Sequence, residues 1–97
     1  MPAYAIFIRE KTRNSAALEE YTPRAAASMA GRSMKVLAAY GAQQVLEGPS
    51  AEGVVIVEFP SMEEAEDWYN SSAYREAREH RFRGADYRAI LVDGVNP

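Results

Sequence analysis

His80, the one histidine of the 97-residue chain, stands directly before Arg81. An imidazole that titrates near neutral pH can take a proton, and a neighbouring guanidinium can hold the oxyanion left behind, so the pair reads as a catalytic base with its oxyanion partner. Helical spacing puts His80 on the side of Ala73 and Ala77, with Tyr69 a turn before them, and two alanines leave room beneath a helix on the side facing a sheet. The plainer alternative is a packed histidine bonded to backbone. Glu58, next to last in an otherwise apolar stretch, is a third catalytic candidate: desolvation would raise its carboxyl toward a base, and the alternative is a strand-end charge bonded to a tyrosine hydroxyl or to solvent. Trp68, Tyr69 and Tyr74 can stack on a flat ligand or simply pack, and with Tyr40 and Arg88 they form the candidate substrate-binding set.

Arg75, Arg78, Arg81, Arg83 and Arg88 gather positive charge toward the end of this helical region, while Glu63, Glu64, Glu66 and Asp67 gather negative charge at its start. A planar guanidinium suits a carboxylate or enolate; the alternative is dipole matching and solvated pairing with Glu76, Glu79 and Asp86. No Gly-rich phosphate loop, two-histidine metal spacing or serine-histidine-acid set occurs, so neither a metal nor a cofactor is expected.

These residues must be held by one domain spanning 1–97, because the length allows a single modest core. A net charge of −3 opposes phosphate-backbone binding, so nucleic acid is not an expected partner. Without cysteine there is no disulfide or thiolate chemistry, and no apolar run approaches a membrane span, which makes the cytoplasm the expected location and excludes a membrane partner.

Tyr4-Ala5-Ile6-Phe7-Ile8 reads as a first strand. Asn14 or Ser15 can cap a helix whose stripe is Leu18, Tyr21, Ala25 and Met29, with a kink or short break expected near Tyr21-Thr22 because of Pro23, and an end at Gly31. Residues 35–47 fit either helix or strand; the turn chemistry of residues 48–53 before Val54-Val55-Ile56-Val57-Glu58-Phe59 decides for one long strand, bent at Gly41, in a hairpin. Ser61-Met62-Glu63-Glu64 is a capping box, Asn70-Ser71-Ser72 interrupts the helix it starts, and Tyr87-Arg88-Ala89-Ile90-Leu91-Val92 is a last strand.

The order is βαββαβ, an α+β ferredoxin-like arrangement with a four-stranded antiparallel sheet and two helices on one face. The strands are apolar on both faces, so the uncovered face is expected to pair with a second copy as a sheet-to-sheet homodimer.

Residues 54–75, from Val54-Val55-Ile56-Val57-Glu58-Phe59-Pro60 to Ser72-Ala73-Tyr74-Arg75, followed by His80-Arg81 and Gly84-Ala85-Asp86-Tyr87-Arg88, closely resemble the family of domain of unknown function 1330. The resemblance spans nearly the whole chain and implies a dimeric α/β barrel, a superfamily of cofactor-free antibiotic-biosynthesis monooxygenases, muconolactone isomerases, haem-degrading monooxygenases and stress-response barrels, in which ligands sit between helices and sheet. The family has no agreed reaction. Haem-degrading relatives pair Trp and His with an Asn on the first strand; Trp68 and His80 are present, that Asn is not, and haem is not expected. Two functions follow as expectations. One is a cofactor-independent oxygenase or isomerase acting on a small, flat, oxygenated organic molecule; the other is a non-enzymatic small-molecule-binding or stress-associated homodimer.

Overall fold

The computed structural model describes residues 1–95. Its elements are β1 (Ala3–Thr12), α1 (Ser15–Ser28), β2 (Lys35–Ala39), β3 (Gly53–Phe59), α2 (Met62–Tyr69), α3 (Ser72–Gly84) and β4 (Ala85–Asp93). The four strands form one antiparallel sheet in the order β2-β3-β1-β4, the arrangement the sequence pattern requires, with the second helical region divided in two. Among the described residues no helix is long and apolar enough to cross a membrane.

Strand alternation sorts the side chains. Ala3, Ala5 and Phe7 of β1, with Val57 and Phe59 of β3, point to the helices and join Ala65, Trp68, Tyr74 and Ala77 in the core. Tyr4, Ile6, Ile8, Val54 and Ile56 take the other face, where they are half-buried, and the register adds Ile90 and Val92 of β4 beside Ile6 and Tyr4. Ile90 and Val92 are 41% and 43% exposed. The chain thus carries an apolar sheet face that its own helices leave open.

Asn14 caps α1 by accepting from the Ala17 amide at 3.2 Å. Contrary to the expected break, α1 runs through Pro23 as one helix. The carbonyl that Pro23 deprives of a donor belongs to Glu19, and both residues are solvent-exposed, so water can replace the lost partner. The helix also stops at Ser28, earlier than Gly31, which instead supplies the left-handed turn (φ 75°) that follows. Ser61 and Ser71 cap α2 and α3 by accepting from Glu64 and Tyr74 amides, each at 3.2 Å.

The long bent strand expected over residues 35–47 is the larger correction. β2 ends at Ala39, Tyr40 adopts φ 57°, and residues 41–52 form no strand. The positive φ turns the chain off the sheet and lays the Tyr40 ring over Gly53, where any Cβ would collide with it. The alternating pattern needed to continue is missing beyond Gly41, and Val45 and Leu46 are exposed instead.

Gly84 is where α3 passes closest to α1. Its carbonyl accepts from the amides of Arg13 and Asn14 at 2.8 and 2.9 Å, and an added Cβ would lie 2.6 Å from Leu18 Cδ2 and 2.7 Å from Leu18 Cγ. Gly84→Ala is therefore expected to cost about 1–3 kcal/mol by overpacking. A lowered urea midpoint at unchanged slope is the expected readout, and an unshifted midpoint would show that the two helices can separate freely.

Candidate functional site

Between α1 and the β2-β3-β1 part of the sheet lies a cavity of about 180 Å³. Its floor is Phe7, Val57 and Trp68, all buried; its roof is Tyr21, Ala25 and Met29 of α1; exposed Thr22, Val36, Ala39 and Tyr40 stand at its mouth. The size is on the scale of the roughly 150 Å³ apolar cavity that admits benzene. Trp68 is fixed there by its Nε1–H donating to Ser28 Oγ at 3.1 Å, while Ser28 donates in turn to the Ala25 carbonyl at 2.6 Å. Tyr74 backs the indole at a centroid distance of 4.0 Å.

Besides Thr22, whose hydroxyl donates to the Leu18 carbonyl, the polar side chains lining this apolar chamber are the phenols Tyr21, Tyr40 and Tyr87, and Tyr21 is paired with Tyr74 behind the wall. Tyr21 and Tyr74 hydroxyls are 2.8 Å apart, and those of Tyr40 and Tyr87 are 2.6 Å apart. In each pair one hydroxyl donates to the other, which leaves the acceptor's own proton for a third group. Burial pushes Tyr21 and Tyr40 well above the ordinary phenol range and raises Tyr74; the partner hydroxyl adds to this at Tyr21 and Tyr40, and the positive charge of Arg81 works against it at Tyr21 and Tyr74. At neutral pH these three are hydrogen-bond donors, not bases. Among the described residues no carboxylate or imidazole lines the cavity.

Arg81 is 3% exposed and projects from the buried ridge of α3 formed by Tyr74, Ala77, Arg81 and Gly84. Its guanidinium lies 5.0–5.3 Å from the ring centroids of Phe7, Phe82 and Tyr87. Phe7 and Tyr87 are also cavity walls, so the charge stands directly behind them.

His80 does not share that ridge. The expected set of Ala73, Ala77 and His80 is out of phase: Ala77 is buried, Ala73 is exposed, and His80 lies half-exposed on the flank with its Nδ1 accepting from Arg83 Nη2 at 2.8 Å. A residue step turns a helix by about 100°, enough to exchange an inward position for a lateral one. Glu58 does approach Tyr4, as expected, but both lie on the open face of the sheet, with Lys35 on the other side of Glu58. Arg88 is exposed on that same face opposite Ile8. Tyr69 packs beside Tyr74 and under Arg78, whose guanidinium is 4.4 Å from its ring. The structure therefore gathers Tyr40, Trp68, Tyr74 and Arg81, and leaves His80, Glu58 and Arg88 outside the group. Tyr21 and Tyr87 join it without having been singled out as functional. Tyr21 was legible only as one member of the α1 stripe; Tyr87 shares strand parity with Leu91 and so faces the helices, a signal available once strand register is known. Among the described residues no group of His, Cys, Asp and Glu is close enough to hold a metal ion.

The family model for a domain of unknown function (DUF1330) matches residues 2–95. The chain belongs to that family. No curated protein sequence matches this DUF1330 chain. Among solved structures, a protein of unknown function from Rhodopseudomonas palustris superposes with a TM-score of 0.74 at 22% identity, covering 99% of this chain and 84% of the other. A dimeric ferredoxin-like protein of unknown function from Bacteroides fragilis gives 0.65 at 10% identity, covering 96% of each chain. SnoaB from Streptomyces nogalater, a cofactor-independent oxygenase crystallised in mutant form, gives 0.66 at 11% identity, covering 99% of the DUF1330 chain and 95% of SnoaB. At these identities the likeness is one of fold, and the fold is ferredoxin-like.

Proposed function

We propose that this protein binds a small, flat, oxygenated organic molecule in the cavity between α1 and the sheet, and acts on it as a cofactor-independent oxygenase or isomerase. The observation that carries the reading is an apolar chamber, walled by Trp68 and Phe7, whose lining phenols Tyr21, Tyr40 and Tyr87 belong to two hydroxyl pairs with one proton of each pair in reserve. A flat ring fits between Trp68 and α1, and its oxygens meet phenols kept protonated by burial, with the positive charge of Arg81 behind them favouring an enolate. The oxygenase alternative draws support from the fold shared with SnoaB.

Two copies are proposed to pair across the open sheet face, burying Ile6, Ile56 and Ile90; the dimeric ferredoxin-like neighbour supports this. The cytoplasmic setting of the dimer rests on the sequence alone. One feature favours the second function, a non-enzymatic binding or stress-associated dimer: no group on the cavity wall can serve as a base at neutral pH.

A thermal-shift series with a hydroxynaphthoquinone and a hydroxylated anthrone tests the site. Saturating ligand at about 100 Kd adds roughly 2.7 kcal/mol, which raises the melting temperature by about 10 °C or more for a domain this small. Ala25→Phe, which fills the roof, should abolish the shift, and equal shifts in parent and variant would remove the cavity from the account. Dissolved-oxygen uptake or an isomerised product with the anthrone assigns the enzyme; binding with neither assigns the binding protein.

A further inference from the structure

Arg81 also borders a second space, a groove of about 320 Å³ on the β4 side of Phe7 and Tyr87, separate from the tyrosine-lined cavity. We infer that this groove is a binding site for an aromatic carboxylate, with Arg81 as the residue that reads the carboxylate. A guanidinium that is 3% exposed needs a counter-charge, and among the described residues no carboxylate pairs with it. Its Nε–H has no acceptor at all. Phe7, Phe82 and Tyr87 surround the cation at 5.0–5.3 Å, and rings stabilise a guanidinium through its faces, whereas hydrogen bonds to oxyanions run along its edges. The aromatic contacts therefore stabilise the charge, and although Tyr74 also takes a hydrogen bond from Arg81, the Nε–H stays in-plane and unspent, a donor that a planar carboxylate completes.

The remaining walls choose the kind of anion. Tyr69, Phe82, Tyr87 and Ala89 offer apolar contact to a ring. The one acid on the rim, Asp86, is tied to Arg13 Nε at 2.8 Å, so its repulsion of an incoming anion is offset. Arg13 itself is anchored to the carbonyls of Phe82 and Ala85 at 2.6 and 3.3 Å, which holds it in place against Asp86. A bare inorganic anion would satisfy Arg81 and leave the rings of Tyr69, Phe82 and Tyr87 without a partner, so the aromatic acid is the better fit.

Calorimetric titration with benzoate tests the assignment. The parent protein is expected to bind one benzoate per chain, Arg81→Met to weaken that binding by about a hundredfold through loss of a charged hydrogen-bonding partner, and Ala89→Trp to block it sterically. Far-ultraviolet circular dichroism and the urea midpoint provide the check that each variant is folded. Undetectable benzoate binding by the parent, or equal affinity in the parent and Arg81→Met, overturns the inference. Phosphate binding more tightly than benzoate overturns the choice of a carboxylate.

Discussion

Raising the pH past about 10 is expected to unfold this protein, with Tyr21 and Tyr74 ionising in the same step. Both phenols are raised above their ordinary value, first by burial, so the folded state keeps their protons where the unfolded chain has released them. Stability is therefore intact below the unfolded phenol pKa and falls as pH rises above it. Tyr21 removes about 1.4 kcal/mol per pH unit, and Tyr74 adds to that loss at its onset. Against a typical reserve of roughly 5–15 kcal/mol, the fold of a domain at the low end is lost within about three pH units. Tyr40 moves in the same direction but is 45% exposed, and solvent screening makes its share smaller. Tyrosinate absorbance and far-ultraviolet circular dichroism, followed together, should show coincident transitions. Tyr74→Phe should shallow the alkaline loss. Complete tyrosinate formation with an unchanged dichroism spectrum would mean that the phenols are not buried as described.

The second large effect belongs to the open sheet face. Ile56 stands opposite Ile6 on one side and Ala38 on the other, at the middle of the apolar surface proposed to meet its twin. Ile56→Asp places a carboxylate there in both copies. An unpaired charge at a buried position costs roughly 3–5 kcal/mol, incurred twice in a symmetric dimer, so association should weaken by about ten-thousandfold or more. Sedimentation equilibrium is expected to show a dimeric parent and a folded, monomeric variant, because in a single chain this position is already partly exposed. A parent that stays monomeric at high concentration, or a variant that still pairs, would place the contact elsewhere.

The succession of strand and helix patterns was enough to give the sheet, and the period of two separated each strand into two sets of side chains. Because both sets are apolar, the sequence implied one bare face without telling which of the two the helices cover. The failures have local physical causes. Pro23 reads as a break until its orphaned carbonyl is seen to lie in water. Tyr40 leaves the strand through a left-handed backbone that side chains other than glycine rarely adopt, which no composition rule anticipates. On α3, assigning the inward phase to Ala73 instead of Tyr74 exchanged His80 for Arg81 as the side chain turned furthest inward. The hydroxyl pairs were invisible for a different reason: Tyr21 meets Tyr74 and Tyr40 meets Tyr87 across 53 and 47 residues of chain, and only the folded register brings them together.

Trp68 gives the most direct view of the cavity, since it is the chain's one tryptophan and forms part of the floor. A flat, light-absorbing ligand seated against it must quench its emission. Titration with a hydroxynaphthoquinone is expected to quench Trp68 saturably, at one ligand per chain, and Ala25→Phe to remove the saturable part while leaving the protein folded. Quenching of the same depth and affinity in the filled variant would contradict the claim that this chamber is where the protein takes its ligand.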